Sequence, residues 1–341
     1  MVVLFLFLLA SILPLCFEFP PMMNGIIYLA VGMALLVKGA DLFVDGASSI
    51  AKALKIPSLI IGLTLVSMGT SAPEASVSIN SAVNGLSDMS IGNVVGSNIF
   101  NTLFILGISS VIVPLVIGKD VKTYDIPIMV GLYTMMFLLC FVITPLTLDL
   151  VESIVMLVLF VAYMVFLIVR AKKEKVQTSE LMNEEESKPL PVWKALLFAA
   201  LGLAGIVLGG DLVVDNASLL ATQLGMSESL VALTIVAVGT SLPELVTSVV
   251  ASIKKENDIA VGNVIGSNIF NIVFILGLSS TIHPLTLGMD TLFDMSVMLV
   301  SGVAILLISL FGKNVKKWQG ACMLLAYVAY LAFIIIRNYA V

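Results

Sequence analysis

The sequence predicts an all-α membrane protein of ten transmembrane helices, built as two five-helix repeats of inverted topology with broken second and seventh helices. Three observations predict it. Hydrophobic residues make up 60% of the 341 and charged residues only 11%, with a mean hydropathy of +1.13; a soluble domain carries about a quarter charged residues. Two polar motifs occur twice, always 170 positions apart. The basic residues gather in alternate loops, and that alternation reverses between the halves.

The spans come first. Apolar runs of the roughly 20 residues that cross a bilayer lie near 25–48, 57–83, 89–111, 124–143, 150–170, 194–216, 228–252, 259–282, 292–311 and 319–338. Residues 1–22 stand outside the repeat. They are apolar but lack a basic n-region, and they read as a leader, an extra span or an over-long start. The first repeat then covers 23–170 and the second 194–341. Between them, 171–193 is polar and mixed in charge and reads as a flexible linker. Cys16, Cys140 and Cys322 sit alone in apolar stretches, as small packing residues rather than disulfide or metal partners. His283 falls just past a span end and reads as interfacial. The net charge of −5 is confined to loops and ends, and no nucleic-acid partner, cofactor or enzymatic chemistry is expected.

Loop charge sets the orientation, because lysine and arginine mark the cytoplasmic side of short loops. Lys52 and Lys55 follow the first span, Lys119 and Lys122 the third, and Arg170 to Lys194 the fifth. Lys254 and Lys255 follow the seventh, and Lys313, Lys316 and Lys317 the ninth. Fifteen of the seventeen basic residues thus share one face, leaving Lys38 and Arg337. The first span begins outside a plasma membrane and the linker is cytoplasmic. Lys52 and Lys55 correspond to Thr222 and Gly225, while Lys254 and Lys255 correspond to Asn84 and Gly85. Equivalent loops therefore lie on opposite faces. Five spans per half require that inversion, and many secondary transporters have it.

The motifs carry the chemistry. Gly69-Thr70-Ser71-Ala72-Pro73-Glu74 returns as Gly239-Thr240-Ser241-Leu242-Pro243-Glu244. Gly92-Asn93-Val94-Val95-Gly96-Ser97-Asn98-Ile99-Phe100-Asn101 returns at 262–271 with nine of ten residues identical. Polar groups inside a membrane are costly and functional by default. Pro73 and Pro243 lack a backbone donor and clash one turn back, so the carbonyls of 67–69 and 237–239 are expected to come free. Irregular backbone at that depth survives only inside protein or along a cavity. Thr70, Ser71 and Glu74 share a helix face, as do Thr240, Ser241 and Glu244, and Ser97 with Asn101 and Ser267 with Asn271 sit four apart. Two carboxylates, hydroxyls and amide oxygens, without sulfur or imidazole, suit Ca²⁺, Na⁺ or Mg²⁺ rather than zinc, copper or iron. Asp41, Asp45, Asp211 and Asp215 lie near span ends, as gate residues or as capping carboxylates, with Lys38 able to pair with the first two. Gly92, Gly96, Gly262 and Gly266 permit close helix approach.

These motifs resemble the α-repeats of the cation/calcium exchanger superfamily, specifically its sodium/calcium exchangers, over nearly the whole chain from Gly25 onward. The resemblance implies a monomeric transporter in the bilayer, with the first and sixth spans sliding across the other eight. It implies ligands at Thr70, Ser71, Glu74, Ser97, Asn101, Thr240, Ser241, Glu244, Ser267 and Asn271, and carbonyl ligands at Ser67 and Ala237. It further implies three Na⁺ against one Ca²⁺, hence electrogenic exchange. Some relatives, the potassium-dependent ones among them, carry aspartate where Asn271 stands, so K⁺-independence is expected. The linker is too short for the regulatory domains of animal exchangers, as in a minimal prokaryotic type. Alternatives are a Ca²⁺/H⁺ or other cation antiporter, a channel, and an intramembrane di-aspartyl protease using the Asp41/Asp45 and Asp211/Asp215 pairs, which look peripheral.

Overall fold

A computed structural model of the chain describes residues 21–143, 146–181, 190–226, 237–312 and 314–339. The readings of residues 1–20 lie outside them. The first span is α1 (Pro21–Leu54). The second is broken into α2 (Ser58–Ile61), a π-helical turn at Gly62–Val66, α3 (Ser67–Thr70) and α4 (Ala72–Val83). α5 (Ser87–Ile99) passes through a π-helical stretch, Phe100–Ile105, into α6 (Leu106–Ile112). β1 (Leu115–Val116), α7 (Ile126–Leu138), β2 (Thr147–Leu148) and α8 (Leu150–Leu181) complete the half.

The second half runs α9 (Val192–Gln223), α10 (Ala237–Gly239), α11 (Leu242–Ile253) and α12 (Asn257–Phe270). A second π-helical stretch, Asn271–Leu276, joins α12 to α13 (Gly277–Ile282). β3 (Leu285–Thr286), α14 (Met289–Phe311), β4 (Asn314–Val315) and α15 (Lys317–Tyr339) follow. Among the described residues eight helices are long and apolar enough to cross a membrane. They match eight of the expected spans. The other two are the broken ones, and part of the seventh, 227–236, lies outside the described residues.

The breaks have the expected cause. Pro73 and Pro243 fall in the first turns of α4 and α11, where a missing N–H costs nothing. The residue before each new helix leaves helical geometry, Ser71 at φ −81°, ψ 9° and Ser241 at φ −91°, ψ 7°. One boundary departs from the sequence reading. α8 runs on to Leu181, into the stretch read as linker, because Ala171-Lys172-Lys173-Glu174-Lys175 is made of strong helix formers.

Burial sorts the helices into layers. In the Asn257–Ile282 span 94% of the apolar window is buried, and in Ser87–Ile112 72%, against 17% in Lys317–Arg337. The two motif-bearing helices thus form the centre, and α15 lies at the periphery. α1 and α9 cross antiparallel, with backbones in direct contact. A Cβ on Gly32 would sit 2.9 Å from the Gly209 carbonyl, one on Gly39 2.8 Å from that of Gly202, and one on Gly46 2.7 Å from that of Ala195. Small residues allow that approach. Two short ribbons tie the halves together. β1 pairs antiparallel with β4, Leu115 opposite Val315, and β2 with β3, Thr147 opposite Thr286.

Candidate cation site

Each helix break starts a new helix with a glutamate in its first turn, Glu74 in α4 and Glu244 in α11. Unpaired backbone N–H groups favour a carboxylate there. Both glutamates are fully buried, as are Thr70, Ser71, Ser241, Ser267, Asn101 and Asn271. Ser97 is nearly so, and Thr240 is half-buried.

Hydrogen bonds cross between the halves in matched pairs. Ser71 Oγ donates to Glu244 Oε1 at 2.8 Å, and Ser241 Oγ to Glu74 Oε1 at 2.7 Å. Thr70 Oγ1 lies 3.0 Å from Asn263 Oδ1 and Thr240 Oγ1 3.4 Å from Asn93 Oδ1. Asn93 Nδ2 donates to the Glu74 carbonyl and Ser78 Oγ, and Asn263 Nδ2 to the Glu244 carbonyl and Ser248 Oγ. Ser241 also reaches Ser97 Oγ at 3.1 Å, and Ser267 Oγ reaches Glu244 Oε1 at 3.4 Å. These bonds link eight of the ten side chains expected from the sequence to one or the other glutamate, directly or through Asn93 and Asn263, while Asn101 and Asn271 belong to a separate set of amide bonds.

What remains unbonded identifies the chemistry. Glu74 Oε2, Glu244 Oε2, Asn101 Oδ1 and Asn271 Oδ1 are buried with no donor among the described residues. Among the described residues the only other carboxylate or amide oxygen so placed is Asn257 Oδ1, at the loop end of α12. A buried polar atom left unpaired costs about 1–3 kcal/mol, and a charged one more. These four acceptors form two pairs related by the 170-residue offset, and carboxylate and amide oxygens are the donor types that suit a hard cation.

One expected ligand differs. The Ser67 carbonyl is not freed by the break, because it accepts from Ser71 N at 3.0 Å, from Thr70 Oγ1 at 3.3 Å and from Ser267 Oγ at 3.4 Å. The Ser71 bond is the ordinary one of a helix, and the carbonyl that Pro73 leaves without its N–H partner is that of Gly69, four residues back. Ala237 opens α10, and its side chain is outside the described residues.

Several residues were not assigned by sequence reasoning. Asn93, Asn263, Ser78 and Ser248 hold the motif helices together, while Asn268 and Asn98 bond to the amides of Asn101 and Asn271, and Thr102 bonds to Asn268. Asn101 Nδ2 donates to Asn268 Oδ1 at 3.2 Å and Asn271 Nδ2 to Asn98 Oδ1 at 3.0 Å. Duplication of the motif was the available signal for the asparagines, and Thr102 had none because Ile272 stands in its place.

Other expectations resolve as follows. Asp41 and Asp45 both pair with Lys254 Nζ, each at 2.7 Å, rather than with Lys38. Gly262 and Gly266 do permit close approach, a Cβ on the first meeting Gly62 Cα at 3.0 Å and on the second Leu63 Cα at 2.8 Å. Gly92 and Gly96 meet nothing within 4 Å among the described residues. Cys140 is buried, whereas Cys322 is exposed on α15. His283 is exposed, its Nδ1 2.8 Å from the Pro284 carbonyl.

The family described as sodium/calcium exchanger protein matches residues 24–169 and 194–336. The chain is 38% identical over 316 residues to a putative antiporter, CaxA, of Alkalimonas amylolytica, covering 91% of this chain and 98% of that protein. It is 34% identical over 336 residues to the sodium/calcium exchanger MaX1 of Methanosarcina acetivorans, covering 89% and 96%. The solved structure of the sodium-calcium exchanger NCX_Mj soaked with Na⁺ and Ca²⁺ superposes with a TM-score of 0.78 at 28% identity, over 90% of this chain and 97% of that one.

Proposed function

Because the chain belongs to the sodium/calcium exchanger family and is a multi-pass membrane protein, a cation/calcium antiporter, we propose that it exchanges Na⁺ for Ca²⁺ by alternating access. The observation that carries this reading is the set of four buried acceptors without donors, Glu74 Oε2, Glu244 Oε2, Asn101 Oδ1 and Asn271 Oδ1. Two carboxylates neutralise one Ca²⁺. Thr70, Ser71, Ser97, Thr240, Ser241 and Ser267 supply the hydroxyls that suit Na⁺, and the carbonyls of Ser67 and Ala237 close the two ends. For Ser67 to serve, Thr70 and Ser267 give up their bonds to it. Three Na⁺ against the fixed charge of −2 leave +1, so exchange is electrogenic. With asparagine rather than a third carboxylate at 271, exchange needs no K⁺.

The architecture proposed is ten spans in two inverted repeats, 23–170 and 194–341, working as a monomer in the plasma membrane with 171–193 cytoplasmic. The ribbons support it. β1 and β3 are equivalent by the 170-residue offset, yet they belong to different ribbons, and each ribbon joins loops that the charge pattern puts on one face. The backbone contact of α1 with α9 supports their moving as one body past the central helices.

The test is Na⁺-gradient-driven ⁴⁵Ca²⁺ uptake into proteoliposomes, with and without a pH gradient and under clamped voltage. Uptake that follows the Na⁺ gradient and the voltage is expected. Uptake driven by the pH gradient alone identifies a Ca²⁺/H⁺ antiporter instead, and uptake without any counter-ion identifies a channel.

A further inference from the structure

Asparagine is an ambiguous ligand. One face of its amide accepts and the other donates, and a half-turn about the side chain exchanges them. Asn101 and Asn271 serve a cation only with oxygen inward. Resting on the exchange reading above, we infer that Asn98 and Asn268 are positioning residues that lock these two amides oxygen-inward, and that Asn98 thereby also selects an amide over a carboxylate at position 271.

The argument follows the direction of each bond. Asn98 Nδ2 donates to the backbone carbonyl of Asn268 at 3.1 Å. A carbonyl only accepts, so the Asn98 amide has one orientation. Its Oδ1 must then face Asn271 and take a proton from Asn271 Nδ2 at 3.0 Å. That leaves Asn271 Oδ1 as the end without a donor. In the other half Asn268 Nδ2 lies 2.9 Å from Thr102 Oγ1 and 3.5 Å from Met129 Sδ. A thioether only accepts, which fixes this amide too. Asn268 Oδ1 takes the proton of Asn101 Nδ2 at 3.2 Å, and Asn101 Oδ1 is left over.

All four asparagines are fully buried, so no solvent competes for these bonds. The brace has a second effect. A carboxylate at 271 would put an oxygen where Asn271 Nδ2 now meets Asn98 Oδ1. Two acceptors would face each other unless Asn98 turned over and abandoned the Asn268 carbonyl. Residue 98 is in this way a determinant of which ligand position 271 tolerates.

The test is a mutant cycle read in Ca²⁺ KM and maximal rate, with Ca²⁺-induced thermal stabilisation of the detergent-solubilised protein as a second readout. Asn98→Leu is expected to raise KM roughly tenfold, the equivalent of one well-oriented buried hydrogen bond, with maximal rate per folded protein nearly unchanged. In an Asn271→Ala background it adds nothing, because its effect passes through that amide. Thr102→Val removes only a hydroxyl, and it keeps the question answerable if Asn98→Leu fails to fold. A rise of about threefold is expected, and it vanishes in an Asn101→Ala background. Variants with wild-type KM and wild-type stabilisation, or effects that multiply with the Asn→Ala backgrounds, overturn the brace. A wild type that is stabilised by Ca²⁺ but does not exchange it for Na⁺ overturns the exchange reading alone.

Discussion

At the centre of the molecule Ser71 reaches Glu244 at 2.8 Å and Ser241 reaches Glu74 at 2.7 Å; one turn past the ends of α4 and α11 that match is lost. Lys254 Nζ clamps Asp41 and Asp45 of α1, and Ser48 Oγ donates to Glu256 Oε1 at 2.6 Å. Asn84 stands at the equivalent of Lys254 and Leu86 at that of Glu256. Asp211 and Asp215 accordingly have no ion-pair partner among the described residues, and Ser218 Oγ, the counterpart of Ser48 Oγ, has no hydrogen-bond partner there. The contrast is informative. In the inverted repeat proposed, perfect symmetry would give two states of equal energy related by a two-fold axis, one open to each side. Under the exchange reading the proposed ligands would serve both states, which fits the matched bonds at the centre. The latch at one end, present in one half alone, is expected to remove that degeneracy.

The largest effect should come from the centre and should be equal in both halves. Glu74→Gln and Glu244→Gln are each expected to lower Ca²⁺ exchange at least ~100-fold, since a buried charge is only weakly screened, while size-exclusion profiles stay normal. Sustained ⁴⁵Ca²⁺ exchange in either variant breaks the equivalence. Acid should likewise inhibit, because a proton on either carboxylate removes half the charge that holds Ca²⁺.

Orientation gives an all-or-none comparison of the loops. Gln223→Cys should react with an impermeant thiol reagent added outside, and Lys255→Cys only from the cytoplasmic side. Labelling of both from one face would contradict the inverted arrangement.

A third measurement separates the amides from the carboxylates. Asn271→Asp adds a third negative charge but sets an oxygen against Asn98 Oδ1, so the Asn98 amide must turn over and leave the Asn268 carbonyl. Once it has, monovalent binding is expected to rise severalfold relative to Ca²⁺, with K⁺ sensitivity appearing when K⁺ is restored in place of choline. The wild type should exchange fully without K⁺. Arrest in choline would show that the neutral amide at 271 does not govern K⁺ use.

The smallest effect belongs to the latch. Exposed ion pairs are worth about 0.2–1 kcal/mol each, so Lys254→Gln should shift the two-state balance only a few-fold, read as greater reactivity of a cytoplasmic-vestibule cysteine. Asn84→Lys, which offers Asp211 and Asp215 a partner, should shift it in the opposite sense. Two shifts of the same sign would show that Lys254 merely packs.

The broken helices, the central helices and the buried polar side chains of the two motifs were readable in the sequence because each is local or duplicated. Proline sets the break, four-residue spacing sets the face, and repetition separates function from coincidence. The latch was not readable. Lys38 was the nearest basic residue in sequence, and the true partner of Asp41 lies 213 positions away. Nor was the role of Asn98, since the direction of its amide is decided by a backbone carbonyl on another helix. The run of α8 to Leu181 is not legible in polar composition, which a linker shares, because lysine and glutamate are strong helix formers and extend a helix beyond the membrane.

The matched hydrogen bonds have a genealogical consequence. Every bond between Ser71 and Glu244 has its copy between Ser241 and Glu74, so what one surface lacks its duplicate supplies. Such a contact is isologous in kind. Two copies of a single five-helix chain, inserted in opposite orientations, would already have held both glutamates and both serines in register. Joining two such copies in one chain would need no new site. It would leave positions 84 and 254 free to differ, as Asn and Lys do here, so that a contact indifferent to direction need not remain so.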